Sequence, residues 1–164
     1  MQKRYKYTPL GILNYADPSY VTCPKCEGCA VVFKENKDKS IAFTTNIISC
    51  QHCGFHGDSK RSNAICRDST IFDWHEDNLP LWLQAVCGEN TLYAFNPKHL
   101  AIIEGYVSAK LRERITNEDG CPSNGSMISR LPAWIKSAKN REDILKAINK
   151  LWLMVEKCSS RDLI

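Results

Sequence analysis

Cys23-Pro24-Lys25-Cys26 and Cys50-Gln51-His52-Cys53 are the two stretches on which the fold of this 164-residue chain turns. In each pair the spacing lets the backbone close into a tight knuckle whose amides point at the first thiolate and offset its charge. Two knuckles supply four sulfurs, which suits a tetrahedral Zn2+ at about 2.3 Å per bond. Gly54 directly follows the second pair, where a knuckle needs a residue that tolerates positive φ. After the first pair the order is Glu27-Gly28, with the glycine displaced by one. The 23 residues between the pairs hold two short apolar runs, 30–33 and 41–44, around a polar turn at 34–40. Both runs read as strands. The layout is knuckle, hairpin, strand, knuckle, that of a zinc ribbon. One structural Zn2+ on Cys23, Cys26, Cys50 and Cys53 is expected, and in so small a unit it should supply folding free energy on the order of 10 kcal/mol.

Other uses of these cysteines fit less well. A thioredoxin-type redox pair needs a helix after it, whereas a strand follows Cys26. A disulfide scaffold needs an oxidising compartment. The basic N-terminal heptapeptide has no apolar run behind it, which argues against a secretory signal. The longest apolar stretches, around 30–33 and 79–86, are too short to span a membrane. A cytoplasmic protein is expected, with nine cysteines serving metal binding before cross-linking. Cys29, His52 and His56 lie close enough to replace a ligand, and the more natural reading places them beside the site rather than in it.

Beyond the knuckles the expected architecture is α+β. A zinc ribbon at 18–58 and an acidic linker at 59–78 precede a β-hairpin with a small three-helix domain at 79–158. Residues 61–95 carry two Lys/Arg against five Asp/Glu, with Asp68, Asp73, Glu76 and Asp77 clustered. That is a solvated linker or a patch for a basic partner. Leu81, Leu83 and Ala85 alternate with Trp82, Gln84 and Val86 before a turn at 87–90, and an aromatic-rich run follows, which predicts a hairpin. Asn96-Pro97 reads as a helix start, and Leu100, Ile103, Val107 and Leu111 form a stripe that predicts a helix to about residue 115. Ser126 is a candidate cap for a second helix with Met127, Leu131, Trp134, Ile135 and Ala138 on one face, shortened or restarted at Pro132. Asn140 is the candidate cap of a third, striped by Ile144, Leu145, Ile148, Leu151, Trp152 and Val155. Cys66, Cys87, Cys121 and Cys158 have no role in this reading.

The net charge of +4 is mildly basic and does not by itself indicate nucleic-acid binding. The positive residues nevertheless gather late, as Lys110, Arg112, Arg114, Arg130, Lys136, Lys139 and Arg141. Across 100–141 they face four acids, so they form either a phosphate-binding surface or a solubilising face.

Several stretches bear a resemblance: residues 79–84, Cys87-Gly88-Glu89, residues 106–114 and residues 129–141. With the two cysteine pairs they resemble a bacterial group described as transcription-factor-IIB-type zinc-ribbon-containing proteins. This chain has Val86-Cys87 where that group tends to have Cys-Cys. The resemblance spans nearly the whole chain and implies the ribbon-plus-helices architecture. A fold does not fix a function. No grouping of nucleophile, base and orienting group stands out, since His75, His99, Asp73 and Glu76 could meet only through an unproven fold, and four cysteines leave a zinc no open position. The expectation is a non-catalytic zinc-binding module with no small-molecule substrate and no membrane. It would bind nucleic acid or a nucleic-acid-processing complex, or else act as a protein adaptor or toxin-immunity protein.

Overall fold

The computed structural model describes residues 4–5, 11, 15–35, 45–60, 79–109, 111–112 and 126–159. Among these residues the architecture is α+β, with antiparallel sheets and three α-helices. The apolar run at 30–33 lies in β3, Cys29–Glu35, flanked by β2, Ser19–Thr22, and β4, Thr45–Ser49. The run at 41–44, expected as the second strand, lies outside the described residues. A further strand, β5, His56–Lys60, completes a four-stranded antiparallel sheet in the order β2-β3-β4-β5. Its buried side follows from period-two alternation: Val21 sits opposite Ala30, and Val32 sits between Ser19 and Ile48.

The outer edge of β2 is not free. Its Tyr20 N–H donates to Phe95 O at 2.7 Å, Tyr20 O accepts from Trp82 N–H at 2.9 Å, and Thr22 N–H donates to Pro80 O at 2.9 Å. Leu79, Leu81 and Phe95 share a core with Val21, Ala30, Val32 and Ile48. The four-stranded sheet and the region from residue 79 onward are therefore sewn together by backbone hydrogen bonds and by apolar packing.

The expected hairpin is present as β6, Leu83–Cys87, and β7, Asn90–Ala94. Cys87 pairs with Asn90 across a two-residue turn whose first position, Gly88, has φ +61°, a value glycine adopts without strain. Leu83, Ala85 and Cys87 face inward, while Gln84 and Val86 are exposed.

Helix α1, Pro97–Ser108, starts where Asn96 predicts. The Asn96 side chain accepts from His99 N–H at 2.8 Å and donates to Tyr15 O at 2.5 Å and Pro18 O at 2.6 Å. It thus caps the helix and holds the segment leading into β2. The helix is shorter than its expected end near residue 115. Ala109 is extended (φ −70°, ψ 131°), and the chain passes into β8, Leu111–Arg112, which pairs in parallel with β1, Arg4–Tyr5. The expected second helix is divided. A 3-10 turn at Ile128–Arg130 is followed by α2, Ala133–Lys136, and a 3-10 turn at Ala138–Asn140. Pro132 has no N–H to continue a helical ladder and holds Leu131 extended at ψ 141°. The expected helix cap at Ser126 is not formed as such: the 3-10 turn begins after Met127, and the Ser126 hydroxyl accepts from Ser129 N–H at 3.2 Å.

Helix α3, Arg141–Ser159, carries the predicted stripe. Ile144, Ala147, Ile148 and Leu151 are buried with Leu83 and Leu92 of the hairpin and with Leu100, Ile103 and Val107 of α1. The Trp152 indole N–H donates to Glu104 Oε2 at 3.0 Å and fastens α3 to α1.

Candidate metal centre

The two knuckles are built alike. Cys23 N–H donates to Gly28 O at 2.7 Å, and Cys50 N–H donates to Phe55 O at 2.8 Å. Glu27 N–H reaches Cys23 O, and Gly54 N–H reaches Cys50 O, both at 3.0 Å. The equivalent positions Glu27 and Gly54 are left-handed, with φ +56° and +69°. So the first knuckle places its positive φ on Glu27 itself, not on the glycine beside it. Gly28 serves a different need. A Cβ there would lie 3.3 Å from Cys26 Sγ and 3.3 Å from the His52 ring.

These turns bring the sulfurs of Cys23, Cys26, Cys50 and Cys53 within 4.8 Å of one another. Cys23 Sγ lies 3.7 Å from Cys53 Sγ, and Cys26 Sγ lies 3.6 Å from Cys50 Sγ. A metal–sulfur bond of about 2.3 Å in a tetrahedron sets sulfur–sulfur edges of about 3.8 Å. The cluster therefore fits one zinc-sized ion in closed coordination.

Its protonation supports the same chemistry. Burial pushes the Cys23 thiol up, but the N–H groups of Lys25 and Cys26 and the sulfurs of Cys50 and Cys53 outweigh it and bring the thiol down to about 7. The Lys25 contact measures 3.4 Å. Cys26 receives a lowering contact from Gly28 N–H, yet burial and the crowding sulfurs of Cys53, Cys50 and Cys23 push it up to about 12. Burial is also the main reason that Cys50 is raised. Four thiols in contact cannot all ionise without a cation, so a metal that binds here displaces protons.

The neighbouring candidates separate cleanly. Cys29 is not in the cluster; its sulfur is bonded to that of Cys158, with Cα atoms 5.9 Å apart. Only its backbone carbonyl approaches the site, 3.4 Å from Cys50 Sγ. His52 and His56 are exposed and stand outside the sulfur cluster. Cys87 is buried, and burial raises its thiol pKa. Cys66 and Cys121 lie outside the described residues, as do His75 and the acids Asp68, Asp73, Glu76 and Asp77. The pairing of Cys29 with Cys158 had no sequence signal, because the two stand 129 positions apart and only the tertiary fold brings them together.

The basic residues divide as well. Arg141 donates to Ala109 O at 3.1 Å and so caps the end of α1, and Lys136 donates to Ser129 O at 2.6 Å. Arg130 and Lys139 are exposed. The side chains of Lys110, Arg112 and Arg114 lie outside the described residues. His99 is sealed in the core between Phe95 and Tyr15, with ring centroids 4.9 and 6.3 Å away. Among the described residues no helix is long and apolar enough to cross a membrane.

No family model, curated protein or solved structure matches this chain.

Proposed function

We propose that the chain is a non-catalytic module in which one Zn2+ on Cys23, Cys26, Cys50 and Cys53 holds a binding surface in shape. The observation that carries this reading is the sulfur tetrad, whose separations suit a tetrahedral tetrathiolate with no coordination position left for a substrate. The resemblance to transcription-factor-IIB-type zinc-ribbon proteins supports the same architecture. A tetrathiolate centre also suits the reducing cytoplasm, where its sulfurs stay available to the metal. Metal analysis of the purified chain tests the assignment. One zinc per chain is expected, with a tetrahedral tetrathiolate spectrum after cobalt substitution and loss of both on Cys50→Ser. A chain that folds unchanged in a strong chelator refutes it.

The partner we infer is nucleic acid or a nucleic-acid-processing complex, held in part by the exposed Arg130 and Lys139. If about three phosphates are contacted, log affinity should fall against log salt with a slope of about −3. Binding that ignores salt overturns that partner. A specific observation favours a second reading, that of a protein adaptor or immunity protein. Lys136 and Arg141 are occupied by backbone carbonyls of their own chain, which leaves the phosphate-binding surface fewer free cations. Co-purification of a protein partner that survives nuclease treatment distinguishes the two.

A further inference from the structure

Cys29 opens β3 three residues beyond Cys26, and Cys158 lies in the last turn of α3. Their bond joins the ribbon to the end of a helix whose buried stripe stops at Leu151. From residue 152 onward α3 is only partly covered, and Leu153, Glu156 and Lys157 are exposed. Trp152, Met154 and Val155 still pack partly against the core, and the bond is the covalent hold on the last turn beyond them.

It is also within reach of small molecules. A groove of about 680 Å3 runs between the first knuckle and α3, and Cys29 and Cys158 both line it, with Gln51, His52, Trp82 and Lys157 on its walls. Both cysteines are partly exposed. Of the other described thiols, Cys23, Cys26, Cys50 and Cys53 cluster on one another, with Cys26 also lining the groove, and Cys87 is buried.

We propose that Cys29 and Cys158 form a thiol–disulfide exchange site whose co-reactant is a low-molecular-weight disulfide or thiol, and that its oxidation clasps the end of α3 to the ribbon. In the oxidising direction one cysteine thiolate attacks a sulfur of the small disulfide and forms a mixed disulfide, expelling one small thiolate. The second cysteine thiolate then attacks the protein-bound sulfur and expels the other. The protein loses two electrons and two protons, and the small disulfide becomes two thiols. Excess small thiol drives the same steps backward and frees the helix end. This proposal goes beyond the metal reading and does not need it.

The test equilibrates the full chain against set ratios of a low-molecular-weight thiol and its disulfide. Alkylation quenches the exchange, and non-reducing peptide mapping by mass spectrometry identifies the joined cysteines. Hydrogen–deuterium exchange is run on the same samples. A peptide joining Cys29 to Cys158 should rise with the oxidant and fall with the thiol. In the joined form, exchange across residues 154–158 should slow by about an order of magnitude. Cys158→Ser and, independently, Cys29→Ser should show the reduced-form exchange rate at every ratio. Three results overturn the proposal: no joined peptide at any ratio, either cysteine joined instead to another cysteine, or exchange across 154–158 that ignores the joining.

Discussion

Lowering the pH from 7.5 to 5 should weaken this fold by about 2 kcal/mol through one side chain, His99. The ring is 1% exposed and stacked against Phe95 and Tyr15. Its Nδ1 accepts Phe95 N–H at 3.2 Å, and its buried Nε2 has no hydrogen-bond partner. Burial disfavours the imidazolium and lowers the pKa from 6.5 to about 4. The sign follows from that direction. The neutral form is the folded one, so its stabilisation is fully present above 6.5 and is lost as the pH falls toward 4. At pH 5 protonation favours the unfolded state by a factor of about 31 and the folded state by only about 1.1, a ratio of about 28, and at about 1.4 kcal/mol per tenfold ratio the difference is about 2 kcal/mol. The assay is urea unfolding of wild type and His99→Asn at both pH values, since Asn keeps an acceptor near the position of Nδ1 but does not titrate. Protons also compete with a bound metal for its thiolates as the pH falls, but they do so in both proteins, so that contribution cancels in the comparison. The stability gap between the two proteins should narrow by about 2 kcal/mol at pH 5. A gap constant to within about 0.5 kcal/mol, or a folded-state imidazole titrating near its ordinary value, refutes the reasoning.

The knuckles allow opposite predictions at equivalent positions. Gly54→Ala should destabilise by about 1–2 kcal/mol through backbone strain alone, because a Cβ there meets no atom within 4 Å. Glu27→Gly should stabilise by up to about 1 kcal/mol, since it relieves the same strain at φ +56°; thermal unfolding of the metal-loaded chain reads both changes. Asn96→Asp should keep the helix cap but lose the donations to Tyr15 O and Pro18 O, and Asn96→Ala should lose both. Losses of about 1–3 kcal/mol for Asp and more for Ala are expected in denaturant titrations. For the nucleic-acid reading, Arg130→Glu with Lys139→Glu should reduce affinity and flatten the salt slope without lowering stability. Arg141→Ala should instead lower stability, because it uncovers Ala109 O at the end of α1.

How far the sequence was readable depended on whether each structure had a local cause. The cysteine tetrad was legible because each Cys-x-x-Cys builds its own knuckle whatever lies beyond it. The hairpin and the stripe of α3 were legible because alternation and helical spacing are local patterns. The flanking strands were not: β5 reads His-Gly-Asp-Ser-Lys, has no apolar alternation, and is a strand only because its backbone pairs with β4. The end of α1 was misread for a related reason. Lys110 to Arg114 contains no helix breaker, and the stop comes from pairing with β1 and from the Arg141 guanidinium more than thirty residues away. Glu27 shows the limit within a motif. The nearby glycine suggests where the left-handed residue lies, yet the hydrogen-bond pattern of the knuckle places it one position earlier.

The placement of the two cores gives the cysteine cluster reach beyond the four-stranded sheet. Cys23 and Cys50 are buried in the same cluster as Leu79, Leu81 and Phe95, so two of the four clustered cysteines share one packing environment with the entrance to the hairpin and with the residue before Asn96. Phe95 in turn stacks on His99 in the first turn of α1, and its carbonyl accepts the N–H of Tyr20 from β2. Chelation that unfolds the knuckles would therefore loosen the wall against which Phe95 packs and the edge to which β2 is tied. If a metal is bound as proposed, its binding free energy would in this way be coupled to the seating of α1 as well as to the four-stranded sheet. The expected signature is a single cooperative transition in which the far-ultraviolet helical signal and the metal leave together. A helical signal that persists through complete removal of the metal would show that the hairpin and α1 stand without the ribbon, and that the shared core does not couple them.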